Sequence, residues 1–229
     1  MSQSITLSDL RAWLLGYADE MDRQSEYLCE LDAAIGDGDH GSNMVRGMER
    51  VRSRLLDGRE EAGDIGDLLR AVAMTLISSI GGAAGPLYGA FFMHASREFA
   101  GCYELNVEQL AQLFRAGYEG VRQRGKASTG EKTMLDTLHP AVVAFEEAAA
   151  RGESLTDGLG QAVLAAYDGM VQTREIEAKK GRASYLGLRS IGHQDPGATS
   201  AFYLVAALHQ VKCPGEEPLA GRIAASEKE

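Results

Sequence analysis

Apolar residues recur at three- and four-residue spacing along nearly the whole chain, and the alternating Val, Ile and Thr runs that mark half-buried strands are missing. The pattern predicts an all-α protein. Leu10, Trp13, Leu14, Tyr17, Met21 and Leu28 form a stripe on a first helix that Ser8 would cap and that runs to about residue 31, before the glycine-rich stretch 36–41 breaks it. A second helix is expected over 40–56, ending at Asp57-Gly58, and a third over 64–80. A fourth should begin after Pro86, and a fifth over 106–124 carries Val107, Leu110, Leu113, Phe114 and Val121 on one face. Glycines at 125 and 130 precede a sixth over 131–151, followed by a seventh over 155–179, a long polar loop 180–196, and an eighth over 197–211.

Successive helices joined by short loops run antiparallel, so alternate loops share an end of the bundle. Loops one, three, five and seven read GDGDHG, GGAAGP, GKASTGEKT and GRASYLGLRSIGHQDPG, whereas the even loops are plain linkers such as DGREEAG and RGES. Glycines alone mark helix ends anywhere, but Asp, His, Lys and Thr accompany them on one side only. That end is the candidate functional end.

Composition narrows the partners. A chain of 229 residues, 45% of them apolar, supports one domain over 1–229, with a core over about 7–211 and a loose tail over 212–229. Acidic residues outnumber basic ones by 33 to 23, and the net charge of -10 disfavours nucleic acid. Cys29, Cys102 and Cys213 lie far apart without CxxC spacing, which suits neither a disulfide framework nor a thiolate zinc site and fits a reducing cytoplasm. The start MSQSITLSDLRAWLLGYADEM has no basic segment leading an apolar run, so no secretory signal is expected. Residues 71–96 carry no Asp, Glu, Lys or Arg, yet Gly81, Gly82, Gly85 and Pro86 divide them into pieces too short to span a bilayer, and a buried helical hairpin is expected instead of a membrane span.

The first loop holds the strongest chemical signal. Asp32, Asp37 and Asp39 repel one another unless cations neutralise them, and the glycines at 36, 38 and 41 allow a tight path that brings them together. A calcium loop of the EF-hand type is excluded by position, because counting from Asp37 puts Ser42 sixth and Met48 twelfth. Magnesium, which needs few carboxylates and leaves room for phosphate oxygens, fits better. Gly36, Gly38 and Gly41 match the dinucleotide fingerprint in register, and Gly120, Gly125 and Lys126 imitate a P-loop, but helix precedes both where a strand is required.

His40 and Asn43 open the second helix, where free N–H groups favour phosphate. The small residues of GGAAGP allow close approach of a ligand. Lys126, Thr129, Lys132 and Thr133 offer charge and hydroxyls, Met134 offers padding for a flat base, and Lys179, Lys180 and Arg182 precede His193 and Asp195 in the last loop. His94, His139 and His209 read as packing or surface residues. No paired nucleophile and base is present, so no general base is assigned, and phosphoryl transfer can proceed by positioning and electrostatics alone.

Taken together, LDAAIGDGDHGSNM, SSIGGAAGPLYGAFF, GKASTGEKTMLD and KGRASYLGLRSIGHQDPGATS resemble, in order and over residues 7–211, the nucleotide-binding L subunits of bacterial dihydroxyacetone kinases. The resemblance implies an eight-helix antiparallel up-and-down barrel. It implies that Asp32, Asp37 and Asp39 hold two Mg2+ ions on the phosphates of ADP, which acts as a bound cofactor cycling through ATP. It further assigns His40, Gly41, Ser42, Asn43 and the turn Gly81, Gly82, Ala83, Ala84 to the nucleotide, with Gly125 and Met134 at the adenine end and Arg182, Asp195, Pro196 and Gly197 completing the pocket. Many relatives read GGASG, so Ala84 removes a hydroxyl and leaves backbone donors. The implied partners are a K subunit that holds dihydroxyacetone, an M subunit of the phosphoenolpyruvate-dependent phosphotransferase system as donor, and a transcription regulator. An ATP-dependent kinase of dihydroxyacetone or a related ketose or four-carbon sugar is the alternative.

Overall fold

Residues 4–57 and 63–216 are described by the structure, a computed structural model. The first helix, α1 (Leu7–Arg23), starts on a capping box in which the Thr6 side chain accepts from the Asp9 N–H and the Asp9 carboxylate accepts from the Thr6 N–H. Ser8, the expected cap, is already inside the helix, because only Thr6 has an acid three residues on. The expected single helix restarts at Gln24 (φ -100, ψ 6), giving α2 (Ser25–Ile35).

The helix α3 (His40–Leu56) has the expected bounds, and Gly58 of the expected stop lies outside the described residues. Next come α4 (Ile65–Ser79), capped by Asp64, and α5 (Ala84–Glu98), which starts two residues before Pro86 because Ala83 is already helical at φ -79 and ψ -26. Asn106 caps α6 (Val107–Gly125) through a second capping box with Gln109. The following helix, α7 (Leu135–Ala150), starts four residues later than expected, since Lys132 takes φ +61 and breaks the run. The seventh expected helix is also shorter: α8 (Leu155–Gln172) ends in a 3-10 turn over Thr173–Glu175. The polar loop contains a 3-10 segment, Arg182–Ser190, kinked at Gly187, and α9 (Pro196–Lys212) follows with Asp195 as its cap. A short antiparallel ribbon of β1 (Ile5–Thr6) and β2 (Glu104–Leu105) was not foreseen, since two-residue strands leave no periodicity to read.

Neighbour packing closes on itself: α1 lies on α3, each helix from α3 to α8 lies on the next in sequence, and α9 returns to α1, with α2 against α3 and α9. The interior is filled by aromatic rings. Trp13 meets Phe92 at 5.9 Å and Phe114 at 6.0 Å between centroids, and Phe114 meets Phe145 at 4.9 Å. The Trp13 indole N–H donates to the Leu204 carbonyl at 2.7 Å, so the largest core ring buries no unpaired donor. The uncharged stretch 71–96 packs as the α4–α5 pair, with Met74 and Ile77 left facing outward. Among the described residues no helix is long and apolar enough to cross a membrane.

A glycine sets one of the closest helix contacts. A Cβ on Gly169 of α8 would sit 2.2 Å from the Asp136 carbonyl oxygen of α7, whereas one on Gly160 of the same helix meets nothing within 4 Å. Gly169→Ala should therefore destabilise the protein by roughly 1–3 kcal/mol through overpacking, while Gly160→Ala should leave it unchanged or raise stability by about 0.5–1 kcal/mol. Chemical denaturation of the two variants checks this; equal effects would show that the α7–α8 contact is not tight.

Candidate functional site

Where α2 turns into α3 the chain doubles back within five residues. Gly36 has no room for a side chain, since a Cβ would lie 2.2 Å from Asp32 Oδ1, and Gly38 takes φ +76. The turn brings the carboxylates of Asp32, Asp37 and Asp39 together, with one oxygen of each within 4.8 Å of the others. Asp32 Oδ2 accepts the N–H groups of Asp39 at 2.9 Å and His40 at 3.2 Å, which fixes it against the first turn of α3. Among the described residues Arg182 is the one cationic side chain paired with this trio of acids, its Nη1 lying 2.8 Å from Asp37 Oδ2. Three hard oxygen donors with only one cation between them fit a magnesium-type ion, to which Asp37 and Asp39 are both exposed.

Beside the carboxylates lies a cavity of about 160 Å³ lined by Asn43, the Gly81–Gly82–Ala83–Ala84 turn, Arg182 and Pro196. It adjoins a larger one of about 480 Å³ whose walls include Leu87, Val121, Gly125, Met134, Leu135 and Gly197. His40, Ala83, Ala84, Lys180, Gly181 and Asp195 line both. All four loops expected at the functional end meet here. So do the first residues of α3, α5, α7 and α9, whose positive dipole ends favour an anion. The combined space is polar and electrophilic at one end and apolar at the other, the profile of a site for a molecule with a phosphate tail and a flat, largely apolar head.

Two of the residues assigned by resemblance lie off these walls. Gly41 faces α2, where a Cβ would meet the Ser25 carbonyl oxygen at 2.0 Å, and Ser42 Oγ sits 3.5 Å from Cys29 Sγ. Lys132, expected to give the loop surface charge, is instead buried, with its ammonium donating to the carbonyls of Thr173 at 2.6 Å and of His193. Lys126 and Thr129 are exposed beyond the cavity walls, and of that group Lys132 and Thr133 line the larger cavity.

Sequence reading missed a polar chain behind the site. His40 Nε2 is 2.8 Å from Ser200 Oγ, Tyr88 Oη is 2.8 Å from the same oxygen, and Tyr17 Oη donates to the Ser200 carbonyl at 3.1 Å. No local spacing could have announced partners more than a hundred residues apart. Burial lowers the His40 pKa while the charges of Asp32 and Asp39 work against that shift, which favours the neutral ring. Asp195 is perturbed as well. Burial pushes it up to about 7, against the pull of its cap bond to Ala198 N–H and of the Lys132 charge, with Asp136 and Asp32 adding to the rise.

The model of the DAK2 domain matches residues 34–210, a span that contains every element of this site. The chain belongs to the DAK2 domain family. It is 43% identical to the ADP-binding subunit DhaL of the PEP-dependent dihydroxyacetone kinase of Escherichia coli K12, over 88% of this chain and 95% of that subunit. It is 38% identical to the ADP-binding subunit DhaL of the PTS-dependent dihydroxyacetone kinase of Lactococcus lactis, over 90% of this chain and 98% of that one. Among solved structures it resembles the dihydroxyacetone kinase from C. freundii in complex with AMP-PNP and Mg2+, with a TM-score of 0.66 and 25% identity over 87% of this chain; it spans about a third of that longer chain, 33%.

A raised carboxyl pKa in this DAK2 domain has a measurable sign. Folded Asp195 keeps a proton that the unfolded chain releases near pH 4, so its contribution to stability is full below about pH 4 and is lost as pH rises through about 7. In protein free of nucleotide and metal, Asp195→Asn should flatten the fall in stability across that window, on the order of 2–4 kcal/mol of difference in slope-integrated stability. Denaturation midpoints of both proteins from pH 4 to 8 test it, and parallel curves would place the Asp195 pKa near its ordinary value.

Proposed function

We propose that this chain is the ADP-binding subunit of a phosphoenolpyruvate-dependent dihydroxyacetone kinase, carrying phosphate from an M subunit through bound ADP to dihydroxyacetone on a K subunit. The observation that carries the reading is the meeting of three carboxylates with the starts of four helices at the mouth of a largely apolar cavity. The relatives named as ADP-binding subunits match nearly the whole chain, and the structurally similar kinase holds AMP-PNP and Mg2+.

In this reading Asp32, Asp37 and Asp39 hold two Mg2+ ions, which when bound neutralise phosphate charge. The N-termini of α3 and α5, with Asn43 and the Gly81–Ala84 turn, hold the phosphates through backbone N–H groups, since Ala84 has no hydroxyl to add. Arg182, exposed and paired with Asp37, is placed to turn its planar fork to the terminal phosphate. Met134, Leu87 and Val121 pack the base and exclude water on that side. The His40–Ser200–Tyr88 chain keeps the imidazole in place beside the phosphate path. No side chain has to take a proton from the acceptor, because the acceptor lies on another subunit and this chain contributes position and charge.

Native mass spectrometry of freshly purified protein should find ADP and two Mg2+ bound. Asp37→Asn and Asp39→Asn should each lower phosphoryl transfer, assayed with K and M subunits, by on the order of a hundredfold or more, while the folded state persists. Full activity in both variants would sink the metal assignment. Ready loss of ADP together with turnover of free ATP in the absence of an M subunit would instead support an ATP-dependent kinase.

A further inference from the structure

At the far end of α9 from the nucleotide cavity, three residues of different chemistry converge. His209 and Cys213 are four residues apart on the last turn of the helix, so their side chains leave the same face. Cys213 ends the helix, and the next residues, Pro214 and Gly215 with φ +82, form a tight turn closed by the Glu216 N–H donating to the Cys213 carbonyl at 3.1 Å. The Gln210 side chain also donates to the Glu216 carbonyl at 3.1 Å. These two bonds fold Glu216 back onto the helix end, where a carboxylate oxygen, a ring nitrogen of His209 and the Cys213 sulfur all lie within 4.8 Å of one another.

We propose that His209, Cys213 and Glu216 form a second metal site, for Zn2+, separate from the aspartate site and closing the C-terminal turn onto α9.

The donor set is one nitrogen, one sulfur and one oxygen, which suits zinc and is foreign to magnesium. Zinc bonds of about 2.0–2.3 Å at tetrahedral angles put ligand atoms about 3.4–3.6 Å apart, so the three donor atoms, all within 4.8 Å of one another, need to close by no more than about 1.4 Å. His209 and Cys213 are 2% and 3% exposed, and Glu216 is exposed on its turn. The electrostatic setting favours a cation as well, because the helix C-terminus presents its last carbonyls and the negative dipole end. Zinc takes the place of the Cys213 thiol proton, which is released to solvent. Cysteine spacing could not reveal this site, because two of its ligands are not cysteines and one of those, Glu216, reaches it only through the Pro214-Gly215 turn.

The test is metal binding by the full chain with excess Mg2+ present, so that the aspartate site is filled. Wild-type protein should take up one Zn2+ that Mg2+ does not displace, and Co2+ in its place should give the absorption band of a metal–thiolate bond. Cys213→Ser should remove that band, and His209→Gln or Glu216→Gln should weaken Zn2+ binding by roughly tenfold or more. Retention of the band in Cys213→Ser, pointing to Cys29 or Cys102, or no Zn2+ bound in excess Mg2+, would overturn the proposal. Should the buried variants fail to fold, the wild-type chain still decides: Zn2+ should slow alkylation of Cys213 mapped by mass spectrometry, and equal rates with and without Zn2+ would refute the site.

Discussion

Everything at the functional end depends on helices starting there. Each of α3, α5, α7 and α9 brings a partial positive charge to the same cavity walls. That concentration attracts anions, and the protein answers it partly from within: Asp32 takes the N–H groups of Asp39 and His40 at the start of α3, Asp195 takes one of α9, and Asp136 takes that of Thr133 before α7. The carboxylates are therefore both caps and candidate ligands. Any phosphate drawn to these helix ends would meet the charges of Asp37 and Asp39, which only a cation between them offsets.

Two buried ionisable groups hold the loops that shape this end. Lys132 ties the loop before α7 to the carbonyls of Thr173 and His193, which belong to the 3-10 turn after α8 and to the loop before α9. Thr173 also accepts the Asp195 N–H at 3.0 Å, so one junction fixes the starts of both α7 and α9. Losing one partner of such a junction leaves buried polar groups unmatched, which costs more than the bonds themselves are worth. The 3-10 segment carrying Arg182 hangs from this junction, with Tyr185 and Leu188 strongly exposed on it.

Membership of the DAK2 domain family and the cavity lead to the same chemistry by separate routes. The family match rests on residue order over 34–210, whereas the carboxylate trio and helix starts are facts of distance and direction. The opposite end of α9 belongs to neither route. There His209, Cys213 and Glu216 bring nitrogen, sulfur and oxygen donors together, a set that suits cations of a softer kind than the aspartates do.

Periodicity by itself determined that the protein is helical, where α3, α4, α6 and α9 begin and end to within a residue or two, and that the chemistry-bearing loops fall on one side. These features are local: an apolar stripe, a cap and a glycine stop are each written within a few residues. The aspartate cluster was legible for the same reason, since eight residues contain all of it. Tertiary structure alone decided that Gln24 divides the first helix, that Lys132 points inward, and that Gly41 serves the α2–α3 contact instead of the cavity wall. It also joined His40 to Ser200, 160 positions away. Such outcomes depend on which distant groups are left needing a partner once the helices have packed, and no window along the chain contains that information.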